Sequence, residues 1–122
     1  MIKIGKSASN ISVYSCQPKD RYELMDIIHD RIEQEGTNCD LNDIDVSKIT
    51  DMSYLFYVSD FNGDISKWDV SNVEVMVFMF GKSTFNRDIS KWKINKNCYT
   101  EHMFYNCPIK EEYKPLIFQN KI

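Results

Sequence analysis

Glycine is scarce in this chain: four among 122 residues, and none of them cluster. A loop that cradles phosphate needs glycines close together so that backbone amides can approach the ligand, so no nucleotide-binding loop is expected. The four cysteines, at 16, 39, 98 and 107, form no C-x-x-C pair. Without a signal peptide they read as reduced thiols in a cytoplasmic protein of a bacterial host. No apolar run approaches the roughly 18–20 residues of a membrane span. The opening MIKIGKSASN lacks the apolar centre of a secretory signal. Positive charge is short as well: 15 Lys and Arg stand against 18 Asp and Glu, a net charge of −3. Nothing global drives such a chain toward nucleic acid or an anionic membrane. What remains is one small domain, 1–122, with ordinary apolar content.

What is present is a repeat. The word DISKW begins at Asp64 and again at Asp88, 24 residues later. Frames starting at Asp40, Asp64 and Asp88 align without a gap. Leu41, Ile65 and Ile89 share a column, as do Ile44, Trp68 and Trp92, and Val46, Val70 and Ile94. Farther along come Leu55, Met79 and Met103, then Phe56, Phe80 and Phe104, then Phe61, Phe85 and Ile109. The third frame decays, with Asn97 and Thr100 in apolar columns, as terminal repeats often do.

Each frame opens with L-x-x-L-x-L spacing whose last two apolar residues are two apart, the period of a strand. Met52, Leu55 and Phe56, like Met76, Met79 and Phe80, then stand at i, i+3, i+4, one face of a short helix. The expected unit is strand, turn, short helix, turn. Such a unit buries its apolar face only by stacking on neighbours, and about three units is the minimum for stability. The expected fold is therefore an α/β solenoid of three 24-residue strand–short-helix repeats over 40–111, with a parallel sheet. A cap over 1–39 would cover one end, with an edge strand in ISVYS and a helix at about 21–35. That helix has Asp20 three residues before Glu23, Gly36 just past its end, and a stripe of Tyr22, Leu24, Met25, Ile27, Ile28 and Ile32. Residues 112–122 would close the other end.

The stretch FNGDISKWDVSNVEVMVFMF, starting at Phe61, resembles the repeat of a bacterial family first catalogued in Mycoplasma as of unknown function. That family is related to the BspA-like leucine-rich-repeat surface proteins, whose usual phrase is close to FNQDISNWDVSNVTNMSYMF. The resemblance covers about residues 40–107, and the lead-in from Glu23 resembles the helix before the array in short members. It implies a leucine-rich-repeat-like solenoid with a parallel sheet, binding to other proteins, and no catalysis. Many relatives are long secreted adhesins, whereas this chain has three repeats and no export signal.

Three patterns could carry other chemistry. Asp60-x-Asn62-x-Asp64 has the opening spacing of a calcium loop, but Ile65 stands where the loop needs Gly and Ser71 where it needs Glu. Cys98, His102 and Cys107 could ligate zinc, but a structural site wants a fourth ligand. His29 shares a helix face with Glu33, near Asp26 and Asp30, with no nucleophile in a matching context. No catalytic residue, metal or cofactor is therefore expected. Asp40, Asp64 and Asp88 form an acidic column, and each is expected to accept backbone N–H bonds at its turn.

The expected function is a small non-catalytic protein-binding module, an adaptor or an inhibitor that occludes a surface. One version is an inhibitor encoded by a phage or mobile element and aimed at a host defence protein. A surface-adhesin fragment and a small metal-dependent enzyme are the alternatives. The partner is expected to be another protein, and the chain a monomer. Strand alternation assigns Asp43, Asp45, Lys67, Asp69, Lys91 and Lys93 to one outward face running from acidic to basic, the first candidate for the partner contact. The column of Tyr54, Phe78 and His102 is the second.

Overall fold

A computed structural model describes residues 14–119. Most of the expected ISVYS strand (11–13), and the last three residues of the expected C-terminal cap, lie outside them.

Helix α1, Arg21–Glu35, forms where the sequence places it. The Asp20 carboxylate accepts the Glu23 amide at 3.0 Å, and Glu23 reaches back to the Lys19 amide at 2.9 Å, so two otherwise orphaned donors are satisfied. Gly36 ends the helix at φ 94, a backbone region glycine enters without penalty, and its amide closes on the Ile32 carbonyl. The buried face is narrower than the sequence stripe. Leu24 and Ile28 are buried, Ile27 and Ile32 pack partly against the core, and Tyr22 and Met25 are exposed.

The three repeats stack as coils in the register of the alignment. Trp68 and Trp92 lie 6.4 Å apart and 7° from parallel. Phe56, Phe80 and Phe104 stack at 5.5 and 5.6 Å, and Phe61 lies on Phe85 at 6.3 Å. Each tryptophan is also tied to the coil before it. The Trp68 indole donates to the Leu41 carbonyl at 2.9 Å, and Trp92 to the Ile65 carbonyl at 3.0 Å. The first repeat has no repeat before it to supply that carbonyl, which accounts for Ile44 in the tryptophan column.

The coils are not the expected strand–helix units, and the α/β solenoid is overturned. Among the described residues there is one α-helix, two 3-10 turns at Glu111–Tyr113 and Leu116–Phe118, and no sheet. Where strands were expected, the chain turns every few residues. Ile44, Trp68 and Trp92 each donate to the carbonyl three residues back, and Asp64 and Asp88 accept amides two residues on. Pairing between coils is left as isolated parallel bridges, Asp40 with Asp64, Asp51 with Val75, and Val75 with Tyr99. The leucine-rich-repeat architecture that the resemblance implied goes with the sheet.

The expected short helices are absent for a related reason. Tyr54, Phe78 and His102 sit at φ 59, 55 and 56, and Val58, Lys82 and Asn106 at 53, 54 and 52. A left-handed residue two places after Met52 or Met76 ends any right-handed helix. The i, i+3, i+4 apolar spacing is met instead by successive turns. Their amides divide by parity. Those of Leu55, Tyr57, Met79 and Gly81 bond three residues back within the coil. Those of Met52, Tyr54, Phe56 and Val58 cross to the carbonyls of Val75, Val77, Met79 and Gly81, and the second coil repeats the pattern onto the third.

Two stability predictions follow from this packing. Trp68→Ala removes a buried ring and leaves the Leu41 carbonyl without its donor, so denaturant unfolding should show a loss of about 3–5 kcal/mol. A loss under about 1 kcal/mol would remove this column from the core. Val58 is β-branched, 63% exposed and left-handed, a combination that costs about 1–2 kcal/mol. Val58→Asn, matching Asn106 in its own column, should therefore raise stability by about 1 kcal/mol, read as a higher melting temperature.

Candidate partner-binding surfaces

The first candidate face divides in two. Lys67, Asp69, Lys91 and Lys93 are exposed. Among the described residues the three lysines make no ion pair, while Asp69 accepts from the Ser71 amide and hydroxyl. Lys91 lines an open polar cleft of about 360 Å3 with Asp64, Ser66, Arg87 and Asp88.

Asp43 and Asp45 are committed inside the molecule. Arg31 of α1 grips Asp43 with both terminal guanidinium nitrogens, at 2.9 and 3.0 Å, and donates to the Asp40 carbonyl at 2.9 Å. Ser15 donates its hydroxyl to the same carboxylate, and Gln17 donates to Asp45 at 2.7 Å. Backbone bonds from Ser15 to Asp43 and from Asp45 to Cys16 lay residues 15–17 alongside this turn. The acidic end of the face thus anchors the N-terminal segment and α1 to the first coil. Arg31 has no marker in the sequence pattern, but its partner does: Asp43 stands in a column that is otherwise lysine.

The electrostatics agree. Burial alone would raise the Asp43 pKa, but the hydrogen bonds from Arg31 and Ser15, with the charge of Arg31, hold it below its ordinary 3.8. The acidic column is settled locally. The Asp64 carboxyl is held low by the Ser66 backbone amide, and Asp88 by hydrogen bonds from Ser90. Asp40 accepts the Asn42 amide at 2.8 Å.

The second candidate is larger than its column. Tyr54 stacks on Phe78 at 5.3 Å, and Phe78 meets His102 at 4.9 Å. Tyr57 stands edge-on to both Tyr54 and Phe78, at 5.0 and 5.9 Å. Tyr105 does the same to Phe78 and His102, at 6.0 and 5.8 Å. Tyr57 and Tyr105 escaped the sequence reading, although they stand three residues after Tyr54 and His102 in one repeat register. The five rings form one wall, with Tyr54 43% and Tyr105 45% exposed.

The other patterns do not assemble. Among the described residues no three His, Cys, Asp or Glu side chains come together to hold a metal, so Cys98, His102 and Cys107 stay separate. Burial, helped by Glu101, pushes the Cys98 thiol up to about 11, leaving little thiolate at neutral pH. Of the calcium-like trio, Asn62 accepts the Asn86 amide and Asp64 the Ser66 amide. His29 is exposed near Asp30 and Glu33, at 4.0 and 3.9 Å. An apolar groove of about 180 Å3 runs between α1 and the first coil, past Met25, Ile32 and Leu55. No helix among the described residues is long and apolar enough to cross a membrane.

Asp43→Asn should cost about 1–2 kcal/mol at neutral pH, because it removes the charge from a half-buried two-point contact that solvent partly screens. A carboxyl whose native pKa is lowered contributes fully above its unfolded value and loses that contribution as pH falls through the native one. The stability gap between wild type and Asp43→Asn should therefore hold above pH 3.8 and close below it. Urea unfolding of both chains as a function of pH measures the gap, and a constant gap would remove the Arg31–Asp43 pair as its source.

Comparison with known proteins found no matching curated protein and no matching solved structure. A family scan matches residues 25–112, which takes in most of α1 and all three coils. The match supports a Mycoplasma-type repeat family and leaves the BspA-like name without support. It covers well over half of the chain: the protein belongs to the repeat family described as Mycoplasma protein of unknown function, DUF285.

Proposed function

We propose that the chain is a small non-catalytic protein-recognition module, an adaptor or an inhibitor that works by covering a partner's surface. Its contact surface in this reading is the aromatic wall of Tyr54, Tyr57, Phe78, His102 and Tyr105. One observation carries the proposal. Three ring-bearing residues in one column hold left-handed backbone, where Asn or Gly would cost less, and they carry their rings in an exposed or half-buried setting. The stack needs the left-handed backbone but not the rings, which Asn would replace at less cost, so rings kept there at solvent-facing positions point to a use beyond the fold. Tyrosine is also the residue type that concentrates binding energy at protein interfaces. Lys67, Lys91 and Lys93 form a second exposed set and would tune association rate and partner choice. Kinship with the BspA-like surface proteins rests on shared word order and adds no contact residue.

The test separates binding from folding. Tyr54→Asn gives up ring contacts worth about 0.5–1.5 kcal/mol and relieves left-handed strain of about 1–2 kcal/mol, so its stability should stay near wild type. With Tyr105→Ser it strips the wall. Wild type and this double variant serve as baits in a lysate of the cells that encode the chain. A partner recovered by wild type should fall at least tenfold with the variant, about 1.4 kcal/mol of affinity, at an unchanged melting temperature. Equal recovery would move the contact to the lysines, where reversing all three to Glu provides the next comparison.

A further inference from the structure

The stack of coils ends on a row of unused hydrogen-bond donors. The amides of Met52, Tyr54, Phe56 and Val58 donate to carbonyls of the second coil, and those of Met76, Phe78, Phe80 and Lys82 to carbonyls of the third. Their equivalents in the third coil are Thr100, His102, Phe104 and Asn106, and among the described residues these four amides donate to nothing. The backbone around them is already set for the missing neighbour. His102 and Asn106 are at φ 56 and 52, the same left-handed values as the residues above them in their columns.

Among the described residues the C-terminal segment does not fill the row. It ties Tyr113 to the Ile89 amide, sets Phe118 edge-on to Phe104 at 5.1 Å and places Lys114 over the same ring, but supplies no carbonyl to the four amides. Exposed edges are ordinarily blunted by lysine or proline. Between Tyr99 and Cys107 the chain has neither, and its exposed side chains are Glu101, His102, Tyr105 and Asn106. At the opposite end α1 packs across the first coil and takes one of the four complementary carbonyls. Arg21 of α1 takes the Ser53 carbonyl at 2.6 Å, and Leu24 and Ile28 are buried there. A second copy stacking head to tail would present that helix, and not an open coil, to the row.

We propose that this row is a docking edge for a polypeptide segment of another protein, which adds to the stack as a fourth coil. The edge is all donor, so the occupant must present a run of backbone carbonyls at every second residue. Main-chain addition of this kind gives affinity, with side-chain positions giving specificity. The aromatic ladder sets one of those positions. A ring over His102 continues the column of Tyr54, Phe78 and His102, whose centroids are 5.3 and 4.9 Å apart. The inference rests on the reading of the chain as a protein-binding module and names how one partner segment is held.

The probe is a synthetic peptide copying residues 97–107 with Cys98→Ser and Cys107→Ser. Its carbonyls at Tyr99, Glu101, Met103 and Tyr105 are the acceptors the third coil offers the second. Titrated into isotope-labelled full chain, it should bind saturably and slow hydrogen exchange at Thr100, His102, Phe104 and Asn106 at least tenfold. A peptide of scrambled order should do neither. Absence of binding at millimolar peptide would overturn the inference. So would binding whose spectral shifts centre on Tyr54 and Tyr57, a result that would leave the aromatic-wall reading standing. So would protection of the four amides by self-association, seen as a concentration-dependent dimer in sedimentation without peptide.

Discussion

Half of the amides in the aromatic stretch of each coil cannot be satisfied within that coil. This constraint organises the rest of the molecule. A helix would have closed its own hydrogen bonds and left the repeats to meet through side chains alone. Here the left-handed residues turn every second amide along the stacking axis, so each coil depends on the carbonyls of the next. Shifting one coil by a residue would break at least four such bonds and unstack the Trp and Phe columns together. Register is therefore set twice, by the main chain and by the rings.

The two ends of such a stack differ in kind. In the aromatic stretch one presents acceptors and the other donors. The acceptor end is closed by α1, held through Arg21 on a carbonyl and Arg31 on Asp43. The polar columns run the opposite way. Asn62 takes the amide of Asn86, whose own side chain takes the amide of Lys110, and Asn42 takes the amide of Lys67. Each of these side chains offers an acceptor to the next coil, and the last coil has no successor among the described residues. The binding surfaces proposed for this protein, the ring wall and the donor edge, are both consequences of stacking left unfinished at its sides and end.

The sequence makes the register fully legible, because identical residue types recur every 24 positions and identical columns stack. Helix α1 is legible for a local reason: Asp20, Glu23 and Gly36 are chemical signals at its ends. The turns between are not legible. Met52, Leu55 and Phe56 satisfy helical spacing equally well on a helix and on a run of turns, and nothing in a tyrosine, phenylalanine or histidine announces a left-handed backbone. The strand reading failed because period-two spacing over three residues does not distinguish a strand from a turn that points two side chains inward. The committed state of Asp43 was hidden because its partner Arg31 lies on a separate element, although a lone acid in a lysine column marks the place.

Native-state hydrogen exchange on the free chain tests the central claim most directly, since it reads the coil-to-coil amides one at a time. The account predicts slow exchange at Tyr54, Phe56, Phe78 and Phe80, whose amides cross between coils, as well as at Met79, whose amide closes within its own. It predicts an alternating pattern in the last coil, slow at Met103 and Tyr105 and fast at His102 and Asn106. Uniformly slow exchange through 100–106, or fast exchange at Phe56 and Phe80, would contradict it.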